Sequence, residues 1–172
     1  MPCLSCVRIA TEADRMEIWR LFLGGHKENG LFSLSPEKVD YFLTRVLNPH
    51  LIPHGDIGPR GAIGVIGPVG HLEGIVFVTI GSYWYSNDKH IEEFIVYVDP
   101  ECRVSNHAKA LIQWMKDQVE ATGLPLVTGI LSTERTEAKC RLYRRFLPRA
   151  GEFFYLAPKN CIVPQLAAGS SW

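Results

Sequence analysis

A short turn between an apolar segment and an amphipathic segment carries the residues best suited to bind an anion. The apolar segment, residues 91–98, is stopped by Pro100, because proline has no N–H group to donate to a neighbouring strand. Ser105 and Asn106 are good N-cap residues for a following helix, and Arg103 lies beside them. Free N–H groups and the helix dipole at such a start favour a phosphate. The spacing predicts a strand, a phosphate-binding turn and a helix, an order that is also ordinary α/β construction.

The cysteines show neither the pattern of a disulfide framework nor that of a complete metal site. They lie at positions 3, 6, 102, 140 and 161, and this odd, scattered set fits reduced thiols. Cys3 and Cys6 have the spacing of half a zinc site, but no second pair completes it. Cys102 precedes the turn without a visible His and carboxylate arrangement, so we do not expect it to be a nucleophile. The prediction is that the protein binds no metal.

Charge composition gives no sign of a nucleic-acid or membrane partner. Lysine plus arginine and aspartate plus glutamate balance at 18 each. No apolar stretch approaches the roughly 20 residues of a membrane span, and the N-terminus lacks the layout of a signal peptide. We therefore expect a cytoplasmic protein that binds neither. One basic cluster, either a solvated helix face or part of a phosphate site, consists of Arg135, Lys139, Arg141, Arg144, Arg145 and Arg149.

Helices are predicted on both sides of the turn. The helix after it begins near Asn106 or His107 and ends at Gly123, with Leu111, Ile112, Met115 and Val119 on one face. Upstream, a strand over residues 7–10 precedes a helix that Gly24-Gly25 should stop. A second upstream helix has Ser35 as cap and Pro36 at its first position, and it ends at residues 48–49.

The remaining segments complete a single predicted domain. Glycines at every third position from Gly55 to Gly70 predict a glycine-rich hairpin, with strands over residues 62–66 and 72–81, because a triple helix needs a longer run with more proline. A strand over 126–131, a helix over 134–146 and a strand over 152–156 follow. A chain of 172 residues fits one domain. We place it at residues 1–158 and expect a partly disordered tail over 159–172.

Two motifs resemble those of the GNAT (Gcn5-related N-acetyltransferase) superfamily. Residues 98–108, VDPECRVSNHA, resemble its acetyl-CoA signature Gln/Arg-x-x-Gly-x-Gly/Ala, with Arg103 first, Ala108 last and Asn106 in place of the middle glycine. We expect Asn106 to adopt a left-handed, glycine-like backbone. Residues 141–146, RLYRRF, resemble the late helix ending in Leu-Tyr-x-x-x-Gly-Phe, with Leu147-Pro148 where the glycine would be. Thr136 and Lys139 stand where the family usually has asparagine and alanine.

The resemblance implies an α/β (α+β) fold whose mixed, mostly antiparallel sheet has six to seven strands and about four flanking helices. It implies acetyl-CoA as acyl donor and is compatible with a homodimer. The polar residues between the first two helices, His26, Lys27, Glu28 and Asn29, would contact the acceptor or form a surface loop. The aromatic cluster of Tyr83, Trp84 and Tyr85 would line the acceptor pocket or pack in the core or at the rim. The implied CoA-binding residues are Val96, Tyr97, Val98, Arg103, Val104, Ser105, Asn106, His107, Ala108 and Lys109.

The resemblance also suggests an acid and a base. Tyr143 matches the tyrosine often proposed to protonate the CoA sulfur, although it could equally be a core aromatic. Glu92 lies eleven residues before Arg103, where some members carry a catalytic glutamate, and Glu93 points to the opposite face of the strand. Strand parity favours Glu92 as the cleft residue, and a bulge would exchange the two. The expected function is acetyl transfer to a primary amine; the alternative is an inactive CoA-binding or protein-interaction module.

Overall fold

The computed structural model describes residues 6–52, 60–132 and 134–155. One five-stranded sheet has the order β1-β2-β3-β4-β5, and its neighbouring strands are antiparallel except for the parallel pair β4 and β5. The strands are β1 (Arg8–Ile9), β2 (Gly61–Ile66), β3 (Gly74–Gly81), β4 (His90–Val98) and β5 (Leu126–Val127). The helices are α1 (Arg15–Asn29), α2 (Pro36–Leu47), α3 (His107–Thr122) and α4 (Thr136–Arg144). None of the helices in this part of the chain could cross a membrane.

The sheet separates two apolar cores. On one face α1 and α2 bury Ile18, Leu21 and Leu43 against the sheet, together with Phe77. On the other face α3 buries Leu111, Ile112 and Met115, and α4 packs against the same cluster. The α/β class and the four helices agree with the prediction, and both cores lie beside β4, which carries the segment before the turn.

Strands β4 and β5 pair over only two positions, Ile91 with Leu126 and Glu92 with Val127. The strand predicted over residues 126–131 therefore ends early, because residues 129–132 leave β4 and line a cleft instead. From Glu93 onward, the edge of β4 that faces away from β3 has no strand beside it in the described chain. Apart from the Val98 carbonyl, which accepts a hydrogen bond from Arg103, that edge leaves backbone N–H and C=O groups available to a ligand.

Helix α1 continues through Gly24-Gly25, so the prediction that these glycines stop it is wrong. A Cβ atom on Gly25 would lie 2.5 Å from Cδ1 of Ile95, and one on Gly24 would lie 2.6 Å from the hydroxyl oxygen of Tyr97. The two glycines therefore let the helix pack closely on β4, at a cost of about 1 kcal/mol each in helix propensity. As a result Glu28 and Asn29 are carried on the last turn of α1 rather than on a loop.

Other local predictions are confirmed. The side chain of Ser35 accepts a hydrogen bond from the backbone N–H of Lys38 at 3.4 Å, and Pro36 is the first residue of α2. Gly123 ends α3 with a left-handed φ of 69°. In the hairpin, Gly61 pairs with Thr79 and Ile66 with Gly74.

The described residues contain five strands, fewer than the predicted six to seven. Residues 152–155 form no strand, and the helix predicted over 134–146 is shorter at both ends. Gly55 and Gly58, Leu156, Cys3, Cys161 and the predicted tail lie outside the described residues.

Candidate active site

A cleft of about 1130 Å³ opens beside the unpaired edge of β4. It is lined by the last turns of α1, by α2, by β4, by the turn before α3, by residues 129–132 and by α4. Eight of the ten residues predicted to bind CoA line it, and Val104 and His107 do not; Glu93 and Tyr143 line it as well. The two motifs recognised in the sequence, 45 residues apart at Val98 and Tyr143, thus meet in one cavity.

The turn before α3 presents free backbone donors. Ser105 Oγ accepts a hydrogen bond from the N–H of His107 at 3.1 Å, and Ser105 N–H donates to the carbonyl of Cys102 at 3.1 Å. Within the described residues, the N–H groups of Val104, Asn106, Ala108 and Lys109 have no acceptor. Four unpaired donors at the start of a 16-residue helix provide the kind of site that binds phosphate oxygens.

Asn106 does not have the left-handed backbone that the missing glycine suggested. Its φ of −86° and ψ of 12° are close to those of the third residue of a type I turn, which most residue types adopt, and its side chain makes no capping hydrogen bond. The preceding 3₁₀ turn and the hydroxyl of Ser105 already shape this segment. A glycine is therefore not required at this position, and the departure from the family signature does not by itself disrupt the turn.

The side chain of Arg103 is held inside the cleft wall. Its Nε donates to the carbonyl of Val98 at 3.1 Å, its guanidinium pairs with the carboxylate of Glu28, and its Cζ lies 5.3 Å from the centre of the Tyr97 ring. These contacts join the end of β4 to the end of α1. Arg103 therefore fixes the shape of the cleft, and the groups that the turn leaves open to a ligand are backbone donors.

Lys139 joins three segments that line the cleft. Its Nζ donates to Asn29 Oδ1 at 2.5 Å and to Ser132 Oγ at 2.7 Å, and it lies 3.9 Å from Glu28. Desolvation lowers the pKa of this amine below its usual value. Of the polar residues predicted for the acceptor side, His26, Glu28 and Asn29 line the cleft, and Lys27 does not.

A bulge at Phe94 brings Glu93, not Glu92, into the cleft. Phe77 pairs with Ile95 and Val78 with Glu93, so Phe94 is the extra residue of β4. Glu92 lies on the opposite face, where its carboxylate is 2.9 Å from Nε2 of His90. The prediction from strand parity, which favoured Glu92, is therefore wrong. The bulge is the exception that the prediction allowed, because one inserted residue reverses which side chains share a face of the strand.

Glu93 is enclosed by two hydroxyl donors. Thr128 Oγ1 donates to its Oε2 at 2.5 Å, and the hydroxyl of Tyr143 donates to the same oxygen at 3.3 Å. Desolvation raises the pKa of the Glu93 carboxyl to about 7, although both hydrogen bonds act to lower it. Desolvation and the neighbouring Glu93 charge raise the pKa of Tyr143 well above its usual value. A carboxyl group with a pKa near 7 is suited to general base chemistry.

The sequence did not identify Thr128 as a residue of the site. It also did not identify the aromatic residues of α1, α2 and β3 as part of the cleft lining. Thr128 lies just after the short β5, and no motif distinguishes it. Tyr83 and Tyr85, which were candidates for the acceptor pocket, stack on each other with ring centres 5.6 Å apart, and Tyr83 stacks on His90 at 4.8 Å. Neither they nor Trp84 line the cleft, and all three are exposed, so they form an aromatic cluster outside it.

A second cluster lies behind the turn. Glu73, Cys102 and His107 each place one atom capable of binding a metal within 4.8 Å of the others. Nε2 of His107 is 2.5 Å from Oε2 of Glu73, so a hydrogen bond accounts for two of the three groups and fixes the start of α3 to β3. Cys102 has a pKa raised by desolvation and then by the negative charge of Glu73, which disfavours a reactive thiolate.

No protein-family model and no curated protein sequence matches the chain. Solved structures do. A ribosomal-protein-alanine N-acetyltransferase from Brucella melitensis biovar Abortus 2308 superposes with a TM-score of 0.61 at 18% identity, over 88% of this chain and 96% of the other. An aminoglycoside 6'-N-acetyltransferase from Acinetobacter haemolyticus gives 0.61 at 13% identity, over 89% and 97%. A probable acetyltransferase gives 0.64 at 19%, over 88% and 96%. The fold is that of GNAT acetyltransferases.

Proposed function

We propose that the protein transfers an acetyl group from acetyl-CoA to a primary amine. The observation that carries this proposal is the Glu93–Tyr143 pair, which lies in the same cleft as the unpaired edge of β4 and the open N–H groups of the turn. The N–H groups of the turn would bind the donor, the edge of β4 would polarise its carbonyl group, and the Glu93–Tyr143 pair would transfer protons. The fold shared with N-acetyltransferases supports the reaction class, and the acceptors in the neighbours' names, a ribosomal protein and an aminoglycoside, differ from each other.

The donor would bind along the edge of β4. The pyrophosphate would accept hydrogen bonds from the open N–H groups of the turn, those of Val104, Asn106, Ala108 and Lys109. The pantetheine arm would pair with the free edge of residues 96–98 as an added strand would. The N–H groups of that edge would polarise the thioester carbonyl as its oxygen becomes negative. Arg103, held by Glu28 and Val98, keeps the edge and the turn in register.

Glu93 and Tyr143 would move the proton. The amine nitrogen attacks the carbonyl carbon, a C–N bond forms and the C–S bond breaks. Glu93 accepts the proton from the nitrogen, and Tyr143 donates its own to the leaving thiolate. The existing hydrogen bond between the two then returns the proton from Glu93 to the Tyr143 oxygen. The net products are an amide and CoA thiol, and both side chains end in their starting state.

Binding and turnover test the proposal separately. Acetyl-CoA at about 100 times its dissociation constant should stabilise the fold by roughly 2.7 kcal/mol, seen as a rise in melting temperature. Release of CoA thiol with a panel of primary amines should then follow. Binding without release for any amine would instead support the inactive CoA-binding module. An unchanged melting temperature together with no heat in titration calorimetry would exclude acetyl-CoA as the donor.

A further inference from the structure

Aromatic rings form a row along the side of the cleft made by α1, α2 and the bulge of β4. The ring centres of Phe94 and Phe42 are 5.6 Å apart, those of Phe42 and Phe77 are 5.8 Å apart, and those of Phe77 and Phe22 are 6.0 Å apart. All four rings line the cleft. Phe94 leaves 56% of its surface exposed at the open end of the row. An exposed apolar surface inside a cleft is typical of a ligand site.

Two more exposed rings line the same cleft. Phe32, 68% exposed, and Tyr41, 54% exposed, line the same cleft from the loop before α2 and from α2 itself. Phe94 follows Glu93 directly, so the row begins beside the proposed base. An amine whose nitrogen reaches Glu93 would therefore place its carbon body against these rings.

The charges of the cleft disfavour an acceptor with several positive groups. Its carboxylates are Glu28, already paired with Arg103, and Glu93. Its cationic side chains outnumber them six to two; they are Lys38, Arg103, Lys109, Arg135, Lys139 and Arg145. A second ammonium group in the acceptor would find repulsion and no unshared carboxylate among the described lining residues. The same positive field suits the phosphates of the donor.

We propose that the acceptor is a primary amine on an apolar, aromatic body that carries no second positive charge. This inference rests on the proposed acetyl transfer and adds its substrate class. The exposed rings of the cleft would bind the body, and the lack of an unshared carboxylate would disfavour polyamines and aminoglycosides. A free arylalkylamine and the amino end of a peptide that begins with phenylalanine share this chemistry.

A panel of acceptors tests the inference at saturating acetyl-CoA. We expect kcat/KM for 2-phenylethylamine to exceed that for n-butylamine by about 10-fold, because ring burial adds the transfer free energy of the extra carbons. The kcat/KM for 2-phenylethylamine should exceed those for spermidine and kanamycin by a larger factor. Comparing kcat/KM for a Phe-Gly dipeptide with that for 2-phenylethylamine distinguishes a peptide amino end from a free arylalkylamine. Equal or better use of spermidine or kanamycin would overturn the inference.

Matched variants locate the effect. Phe94→Ala should raise the KM for 2-phenylethylamine several-fold and leave the KM for acetyl-CoA unchanged. Trp84→Ala removes an aromatic ring that is 95% exposed and outside the cleft, so it is the control. Lys38→Glu should raise kcat/KM for spermidine. Lys89 is exposed and does not line the cleft, so Lys89→Glu should leave this kcat/KM unchanged. The inference fails if each variant matches its control.

Binding of the acceptor is measured apart from turnover, by titrating 2-phenylethylamine and spermidine into the protein saturated with CoA. Tighter binding of 2-phenylethylamine supports the inference even without turnover, and equal or absent binding contradicts it. Failure of acetyl-CoA itself to bind is a different readout and contradicts the proposed function. The two ideas can therefore fail independently.

Discussion

At the scale of single residues, the position of Glu93 decides what the cleft can do. Desolvation by the surrounding protein raises the pKa of its carboxyl group to about 7, against the lowering effect of two hydroxyl donors. Its neighbour Glu92, one position away, lies on the other face beside His90. Two adjacent carboxylates thus have different environments, and each serves as the control for the other.

Glu93→Gln should lower kcat/KM by roughly 10²-fold or more, because the amide cannot accept a proton. The base is active when it is deprotonated, so wild-type activity should rise with pH and show an inflection near pH 7 that the variant lacks. The measurement is the pH profile of CoA release with a fixed amine, corrected for the amine's own ionisation. Glu92→Gln should retain both the rate and the inflection. If Glu92→Gln behaves like Glu93→Gln, the assignment is wrong.

The same substitution should change stability in the opposite direction. The folded pKa of Glu93 is raised above its usual 4.5, so its favourable contribution is complete below about pH 4.5 and is lost as pH rises through about 7. Glu93→Gln avoids that loss and should raise the free energy of unfolding by about 2–3 kcal/mol at pH 8.5, and by much less at pH 5. Urea unfolding at the two pH values measures this. A gain independent of pH would show that desolvation of the charge is not the cause.

Tyr143→Phe should lower kcat by roughly 10²-fold while leaving acetyl-CoA affinity nearly intact, because the ring still packs and only the O–H group is lost. Loss of that donor should also raise the pKa of Glu93 further, since the hydrogen bond lowers it. The inflection in the rate profile should therefore move to higher pH. Full activity and an unmoved inflection in this variant would remove Tyr143 from the proposed proton path.

At the scale of elements, the contact between α1 and β4 sets one wall of the cleft. Gly25 is buried against Ile95 and Tyr97, and the helix continues beyond it to place Glu28 against Arg103. The close approach of helix and strand is therefore coupled to the position of the turn at the end of β4.

Gly25→Ala should destabilise the protein by about 1–2 kcal/mol, because overpacking against Ile95 outweighs the gain in helix propensity. Denaturant unfolding measures the loss, and titration with acetyl-CoA should show weaker binding as α1 shifts. Gly151→Ala is the control, since a Cβ there meets nothing within 4 Å and no positive φ is required. A stabilised Gly25→Ala protein would mean that the helix can move away at no cost.

At the scale of the whole molecule, the charge is balanced but unevenly placed. The formal net charge is zero, yet the cleft lining has four more cationic than anionic side chains. The donor carries several phosphate charges and the proposed acceptor reacts as a neutral amine. Electrostatic attraction should therefore act on one substrate and not on the other.

Raising the salt concentration from 0.05 to 0.5 M should weaken acetyl-CoA binding several-fold, because the Debye length falls from roughly 14 Å to about 4 Å. Binding of 2-phenylethylamine to the CoA-saturated protein should change little. Calorimetric dissociation constants at the two salt concentrations measure both effects. A salt-independent dissociation constant for acetyl-CoA would contradict a role for the cationic lining.

The sequence alone determined the features that depend on neighbouring residues. Ser35 and Pro36 specify the start of α2, Gly123 specifies the end of α3, and the strand, turn and helix around residues 91–122 follow from local backbone chemistry. The motif order also identified the fold, because these short segments recur with the same spacing in one architecture.

The tertiary structure decided what depends on contacts between distant residues. The register of β4 against β3 places a bulge at Phe94 and so selects Glu93 over Glu92. Packing of α1 on Ile95 and Tyr97 overrides the helix-stopping tendency of Gly24-Gly25. Thr128 and Tyr143 reach Glu93 across 35 and 50 residues of chain, a meeting that no local pattern encodes. The reason is that backbone preference acts over a few residues, whereas pKa and cleft shape are set by whatever folding brings together.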